Sequence, residues 1–454
     1  MNMNRRDFLK AVGAGMAAAS VGSWAVAGSG EATSSRPAEP PKRPNFLFIL
    51  TDQQRYDAVG AFKPAVTTPA LDRLCREGVA FDHSYVAQAV CTPSRASIMS
   101  GLYPHTHKLM LNLPGEDALS DPAFNLGVTW PRLLQKAGYH TGYIGKWHLG
   151  QKAGPGFDEW MGFNTGLRHW LGEAQQSKYR SDDETDKGLD FLERNKDKPF
   201  VLYQSYYPPH TPYNPPQKFQ DAYRGKLEPP AYWGAVTAID QCVGRLLRKL
   251  DELGLTENTV VIFTSDHGDH FGQRPGHPHK CAGYDDSARV PLIVRYPAQF
   301  KGGRVCTELV SNVDLMPTIL GLAGVEAPNG LQGVSLKPLL AGQSPAWRKT
   351  VVIENKEDLV EGGGDKGDKA VSRTIRNDRF KLILRDKLPV RAAGLWELYD
   401  LKADPQEQKN IYGKDQAAVI GELLAALDAW CVQTQDTVGK ELAAACRKNL
   451  SPNG

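Results

Sequence analysis

Cysteine is sparse: Cys75, Cys91, Cys242, Cys281, Cys306, Cys431 and Cys446 are the only seven in 454 residues, and no two stand in CxxC spacing. That absence excludes zinc-ribbon and thioredoxin-like redox motifs, and the odd count leaves at least one thiol unpaired. An excess of one charge is missing too. The formal net charge is +3, and Arg5, Arg6 and Lys10 against Asp7 contribute +2 of it within the first 27 residues, leaving +1 for the remainder. Such a chain carries no nucleic-acid footprint, and no nucleic-acid partner is expected. Beyond the N-terminus no apolar run is expected to be long enough to span a bilayer. What is present is an ordinary globular composition, 41% hydrophobic and 23% charged. A chain of this length accommodates a large α/β core and a smaller second unit.

The N-terminus reads MNMNRRDFLKAVGAGMAAASVGSWAVAGSG: a basic start, a short Ala/Gly/Val run, and small residues at Ala25-Val26-Ala27. This is the plan of a removable export signal. Paired Arg5-Arg6 followed by Phe8-Leu9-Lys10 resembles a bacterial twin-arginine signal, which implies the twin-arginine machinery as a partner. Cleavage would leave a periplasmic or secreted protein without a stable membrane span. The expected organisation is a signal over 1–27, a Pro/Ser-rich linker over 28–43, a large domain over 44–345 and a smaller C-terminal subdomain over 346–454.

Along the mature chain, short β-rich apolar runs alternate with helical patterns, which predicts βαβ units and a large, mainly parallel sheet flanked by helices. The ends of four runs carry the chemistry. NFLFIL leads into Asp52-Gln53, TGYI into Lys146-Trp147-His148, PFVLYQSYY into His210, and TVVIFTS into Asp266-His267-Gly268-Asp269. In an open parallel sheet the C-terminal strand edges lie together and form the ligand crevice. Asp52, Gln53, Asp266 and His267 then supply two carboxylates, an amide oxygen and an imidazole, a set suited to a hard divalent cation such as Ca²⁺ or Mg²⁺.

VCTPSRASIMSG reads as a helix start, with Thr92 as cap, Pro93 at the first helical position and Gly101 as the stop. Cys91 is therefore expected just before the helix, facing solvent at the crevice. A thiol is a poor partner for an oxygen-loving cation.

CTPSRASIMSGLYPH resembles the CxPSR signature of the sulfatases, in the alkaline-phosphatase-like superfamily, with Cys91, Pro93, Ser94 and Arg95 in the matching places. RPNFLFILTDQQR, GYIGKWHLG, YYPPHTPY, FTSDHGD and KCAGYDDSARVPLIVRYP resemble further family segments. RTIRNDRFKLIL and LWELYDLKADPQEQKNI resemble its C-terminal antiparallel subdomain, with a helix expected over 416–434. The resemblance implies that a maturation enzyme oxidises Cys91 to Cα-formylglycine, replacing the sulfur by oxygens that suit a cation: calcium, or magnesium or manganese.

By the same resemblance the metal ligands are Asp52, Gln53, Cys91, Asp266 and His267, and the catalytic residues are Cys91, Arg95, Lys146, His148, His210 and Lys280. Arg95 and Lys146 supply charge beside the nucleophile. His148 takes a proton from the hydrate, and Lys280 and His210 meet the sulfate and the leaving oxygen. The implied activity is hydrolysis of sulfate esters of small molecules or glycans, as in arylsulfatases and choline sulfatases. Gln53 and His267 stand where many sulfatases carry Asp and Asn, a pattern similar to branches that include phosphonate monoester hydrolases. A phosphonate monoester or phosphodiester substrate is the alternative.

Arg55, just after the first strand, is placed to support the nucleophile. His270, His277 and His279 either shape the pocket or lie in an exposed loop. Lys356 to Lys369, acidic and glycine-rich, reads as a loop.

Overall fold

The computed structural model describes residues 43–113, 128–166, 168–172, 178–274, 279–359, 368–389 and 392–450. The signal and nearly all of the linker lie outside the described residues, as do His277 and the middle of the 356–369 segment.

Asn45–Asp52 forms strand β1, buried along its whole length. Phe46, Phe48 and Leu50 enter one core, and Leu47 and Ile49 enter the other. A strand covered on both faces needs an unbroken apolar run, which is why NFLFIL does not alternate with polar residues. The remaining strands of this sheet are β2 (Val79–Phe81), β3 (His140–Lys146), β4 (Glu159–Phe163), β5 (Phe200–Pro209), β6 (Thr259–Ser265), β7 (Leu292–Arg295) and β8 (Arg304–Cys306). Their spatial order is β4-β3-β5-β1-β6-β7-β2-β8. The five from β4 to β6 are parallel, and β7 runs antiparallel to both β6 and β2. The large, mainly parallel mixed sheet is thus as expected.

Helices cover both faces. Pro69–Glu77 (α1), Arg180–Asn195 (α3) and Pro230–Glu252 (α4) pack with Leu47 and Ile49, through residues such as Leu74, Phe191 and Val243. Cys91–Ser100 (α2) and Leu315–Ala323 (α5) pack with Phe46 and Phe48, through Ile98, Met99 and Ile319. The strands β3, β5, β1 and β6 are neighbours, so the four chemically marked strand ends lie side by side.

The smaller unit is an antiparallel sheet of Val351–Asp358 (β9), Lys369–Arg376 (β10), Phe380–Arg385 (β11) and Trp396–Asp400 (β12), in that order. Ala417–Thr434 (α6) and Thr437–Leu450 (α7) pack on it. The 356–369 segment is not all loop: Asp358 pairs with Lys369, so its two ends extend the hairpin. A second correction concerns membranes, because Lys414–Thr434 is long and apolar enough, by length and composition, to cross a bilayer. In the fold Ile420, Leu423, Leu424, Leu427 and Cys431 of this helix are buried in the subdomain core, which accounts for its apolar character. Cys75, Cys91, Cys242, Cys306, Cys431 and Cys446 are free thiols.

Buried polar contacts join the two units. Lys381 donates to Asp285, Arg274 to the Glu407 carbonyl, and Tyr284 to Glu397.

Candidate active site

Helix α2 begins at Cys91 itself, two residues earlier than expected. Val90 occupies the cap position without a side-chain bond. Thr92 does not cap, because it lies inside the helix, where its hydroxyl donates to the His148 carbonyl at 2.8 Å. Pro93 falls third in the helix, still within the first turn where no N–H is required. Nor does Cys91 face solvent: it is fully buried, enclosed by side chains from four strand ends.

Those side chains are the predicted ones. One ligand atom each from Asp52, Cys91, Asp266 and His267 lie within 4.8 Å of one another. Arg95 donates to Asp52 Oδ2 at 2.9 Å and to Asp266 Oδ2 at 2.8 Å. This turns both Oδ1 atoms toward His267 Nε2, at 3.8 and 3.7 Å. His267 Nδ1 lies 2.8 Å from the Gly268 carbonyl, an acceptor that fixes the proton on Nδ1 and leaves the Nε2 lone pair for a ligand. Gln53 adds an amide oxygen, Oε1, that is buried and has no hydrogen-bond partner. Two carboxylates, an imidazole lone pair and an orphaned amide oxygen fit a divalent cation. Arg95 therefore braces both carboxylates and, one helical turn after Cys91, places its charge beside that residue.

The cations form a second layer. Lys280 Nζ lies 3.2 Å from Cys91 Sγ and Lys146 Nζ 3.7 Å from it, with Lys146 also 2.5 Å from Asp52 Oδ2. His210 Nε2 is 3.3 Å from Lys280 Nζ and 3.9 Å from Asp52 Oδ1. Burial alone would raise the Asp52 carboxyl, as does Cys91, but Lys146 and Arg95 hold it well below the carboxylate range. Asp266 goes the other way, pushed up to about 6 by burial and by the Asp52 charge. Burial would also raise the Cys91 thiol, yet Lys146 and Lys280 hold it well below its usual value. His148 is lowered to about 4, by burial and then by Lys146, so its ring is neutral near pH 7, with Nδ1 unpartnered. The centre is electrostatically suited to an anion over a cation.

Gly145 puts Lys146 in place: its φ is +101°, and a Cβ there would sit 1.8 Å from the Ser205 carbonyl of β5. Ser205 itself, unmarked in the sequence, joins Arg95 Nη1 to the Lys146 carbonyl, at 3.0 and 2.6 Å. Asp269 and Tyr213, inside quoted motifs yet given no role, bond each other beside Gln53. Their signal was position, at the same strand ends as the predicted ligands. Arg55 pairs with Asp57 at 2.8 Å and donates to the Asp269 carbonyl at 2.9 Å, so it braces this segment. His270 is buried against Asp286 at 2.5 Å, whereas His279 is partly exposed and lies 3.2 Å from Asp269.

A chain with this sheet and this strand-end cluster has the form of an alkaline-phosphatase-like hydrolase. The sulfatase family model matches residues 44–325, and the chain belongs to the sulfatase family. A model described as N-sulphoglucosamine sulphohydrolase, C-terminal, matches 276–432. A twin-arginine signal model matches 2–22, and the protein is periplasmic or secreted. An N-acetylglucosamine-6-O-sulfatase of Bacteroides thetaiotaomicron is 30% identical, over 84% of this chain and 84% of its own. A structure solved in complex with its substrate D-glucosamine-2-N,6-O-disulfate aligns with TM-score 0.72 at 28% identity, over 87% of this chain and 99% of that one. A phosphonate monoester hydrolase of Agrobacterium radiobacter shares the fold, with TM-score 0.72 at 22% identity over 86% and 96%.

Proposed function

We propose that the protein is an exported hydrolase of sulfate esters on carbohydrates or related organic alcohols, acting through formylglycine at position 91 and a divalent cation, calcium, magnesium or manganese. The observation that carries this reading is the meeting of Asp52, Cys91, Asp266 and His267 within 4.8 Å, beneath Lys146 and Lys280. A relative named for an amino-sugar sulfate and a solved structure in complex with one support the carbohydrate class. Residues 44–345 form the catalytic unit and 346–454 the subdomain in this reading.

The Cys91 sulfur marks where the formylglycine oxygens stand, and a maturation enzyme is the partner that makes the exchange. The residues that hold the cation are Asp52, Gln53, Asp266, His267 and the modified position 91. When bound, it supplies Lewis-acid charge for an anionic ester oxygen. Lys146 and Lys280 face the same ester with fixed positive charge, which rewards the spread of charge over the sulfur oxygens during transfer. Arg95 holds both carboxylates in register. His148, neutral and with its side chain near position 91, takes the hydrate proton. His210 meets the leaving oxygen and supplies its proton.

The test is a pair of aryl esters, sulfate and phosphonate, assayed before and after chelation. Faster turnover of the sulfate, lost on chelation and restored by one divalent ion, is the expected result. A preference for the phosphonate would instead select the phosphonate monoester or phosphodiester reading, which the Gln53 and His267 pair favours. Activity that survives complete removal of divalent ions would contradict the metal assignment.

A further inference from the structure

Asp269 ends the segment that begins with Asp266, and its carboxylate is buried. Oδ2 accepts from Gln53 Nε2 at 2.5 Å and from the Tyr213 hydroxyl. Oδ1 accepts from the Phe271 backbone N–H at 2.8 Å and faces His279 Nδ1 at 3.2 Å. An ionised carboxylate only accepts, so it selects the nitrogen end of a neighbouring amide. The Gln53 oxygen must then point away from Asp269, and there Oε1 is buried and unpartnered. The backbone fixes the rest: Gln53 follows Asp52 with φ +71°, and its N–H donates to Asp266 Oδ1 at 3.1 Å.

We propose that Asp269 is a positioning residue that sets the polarity of the Gln53 amide, so that its oxygen and not its nitrogen faces the cation. The inference rests on the cation reading given under Proposed function. A carboxylate at position 53 would present oxygen at either end and would need no such orientation, but it would collide electrostatically with Asp269. The pair must be matched: amide against carboxylate, or carboxylate against amide.

The experiment is calorimetric titration of chelator-treated protein with Ca²⁺, for wild type, Asp269→Ala, Asp269→Asn, Gln53→Glu and the double variant Gln53→Glu/Asp269→Asn. Partners that orient metal ligands are typically worth about 10- to 100-fold in affinity, and each single variant is expected to weaken binding by at least about tenfold. The double variant restores the polarity match: the amide nitrogen introduced at position 269 donates to the carboxylate introduced at position 53, and the amide oxygen still accepts from the Phe271 N–H. Its affinity is expected within about threefold of wild type, a non-additivity that a merely structural role would not produce. Equal affinity in Asp269→Ala and wild type, or additive losses in the double variant, would overturn the proposal. Wild type that binds neither Ca²⁺, Mg²⁺ nor Mn²⁺ would overturn the cation reading itself, a separable outcome.

Discussion

At His210 two contacts set the proton inventory. Nδ1 lies 2.7 Å from the Thr211 carbonyl and so carries the proton, while Nε2 faces Lys280 Nζ at 3.3 Å as an acceptor. Burial, with Lys146 and Lys280, lowers the ring below the usual histidine value. In the proposed mechanism an anionic ester placed between these cations returns His210 to the charged form, and Nε2 then donates to the departing oxygen. General acid catalysis matters most where the leaving group is a strong base. His210→Ala is expected to lower kcat/KM for a sugar sulfate by about 10²- to 10⁴-fold. The loss for a nitrophenyl sulfate, whose phenolate leaves unaided, should be far smaller. Equal losses for both would move the proton to Lys280.

At the scale of elements, the site depends on how β3 ends. Gly145 stands at φ +101° directly before Lys146, and any side chain there meets the Ser205 carbonyl. Gly145→Ala is expected to destabilise the protein, since strained positive φ costs about 1–3 kcal/mol before the overlap is added. A lower urea midpoint together with lost activity checks this, and an unchanged midpoint contradicts it. Much of this level was legible beforehand: the four apolar runs, their parallel pairing and their shared edge follow from patterning and topology alone. Three things were not. Ser205 hides inside an apolar strand, where a run buried on both faces gives no sign of which residue turns toward the site. The burial of Cys91 depends on Lys280 and His267 arriving from distant segments. The missing Thr92 cap reflects the helix start at Cys91, an extension that no local pattern encodes.

For the whole molecule, the joint between the two units is titratable. His105, before α5 in the chain, places Nδ1 2.6 Å from Glu354 of β9 and Nε2 2.9 Å from the Thr434 carbonyl at the end of α6. Both partners accept, so both ring nitrogens carry protons and the ring is cationic. Arg373 of β10 and Asp436 complete the network, and the rings of Tyr103 and Trp430 cover it. Burial opposes the charge, but Glu354 outweighs it and the His105 pKa is raised above 6.5. The stabilisation is therefore fully present below the unfolded value and is lost as pH rises through the folded one. The Tm difference between wild type and His105→Gln should be largest near about pH 6 and shrink as pH rises above the ordinary histidine value. A difference that grows with pH would contradict the assignment.

The catalytic roles proposed for these residues depend on what stands at position 91. The cation cluster offers oxygen and nitrogen, the lysines neutralise an anion, and a cysteine sulfur is the one soft atom among them. The decisive measurement is the mass of the peptide containing residue 91, taken from active protein made in a host with a formylglycine-generating enzyme. The account predicts an aldehyde at that residue, with labelling by a hydrazine probe rising in proportion to sulfatase activity. Fully active protein whose residue 91 is an unmodified thiol would contradict it.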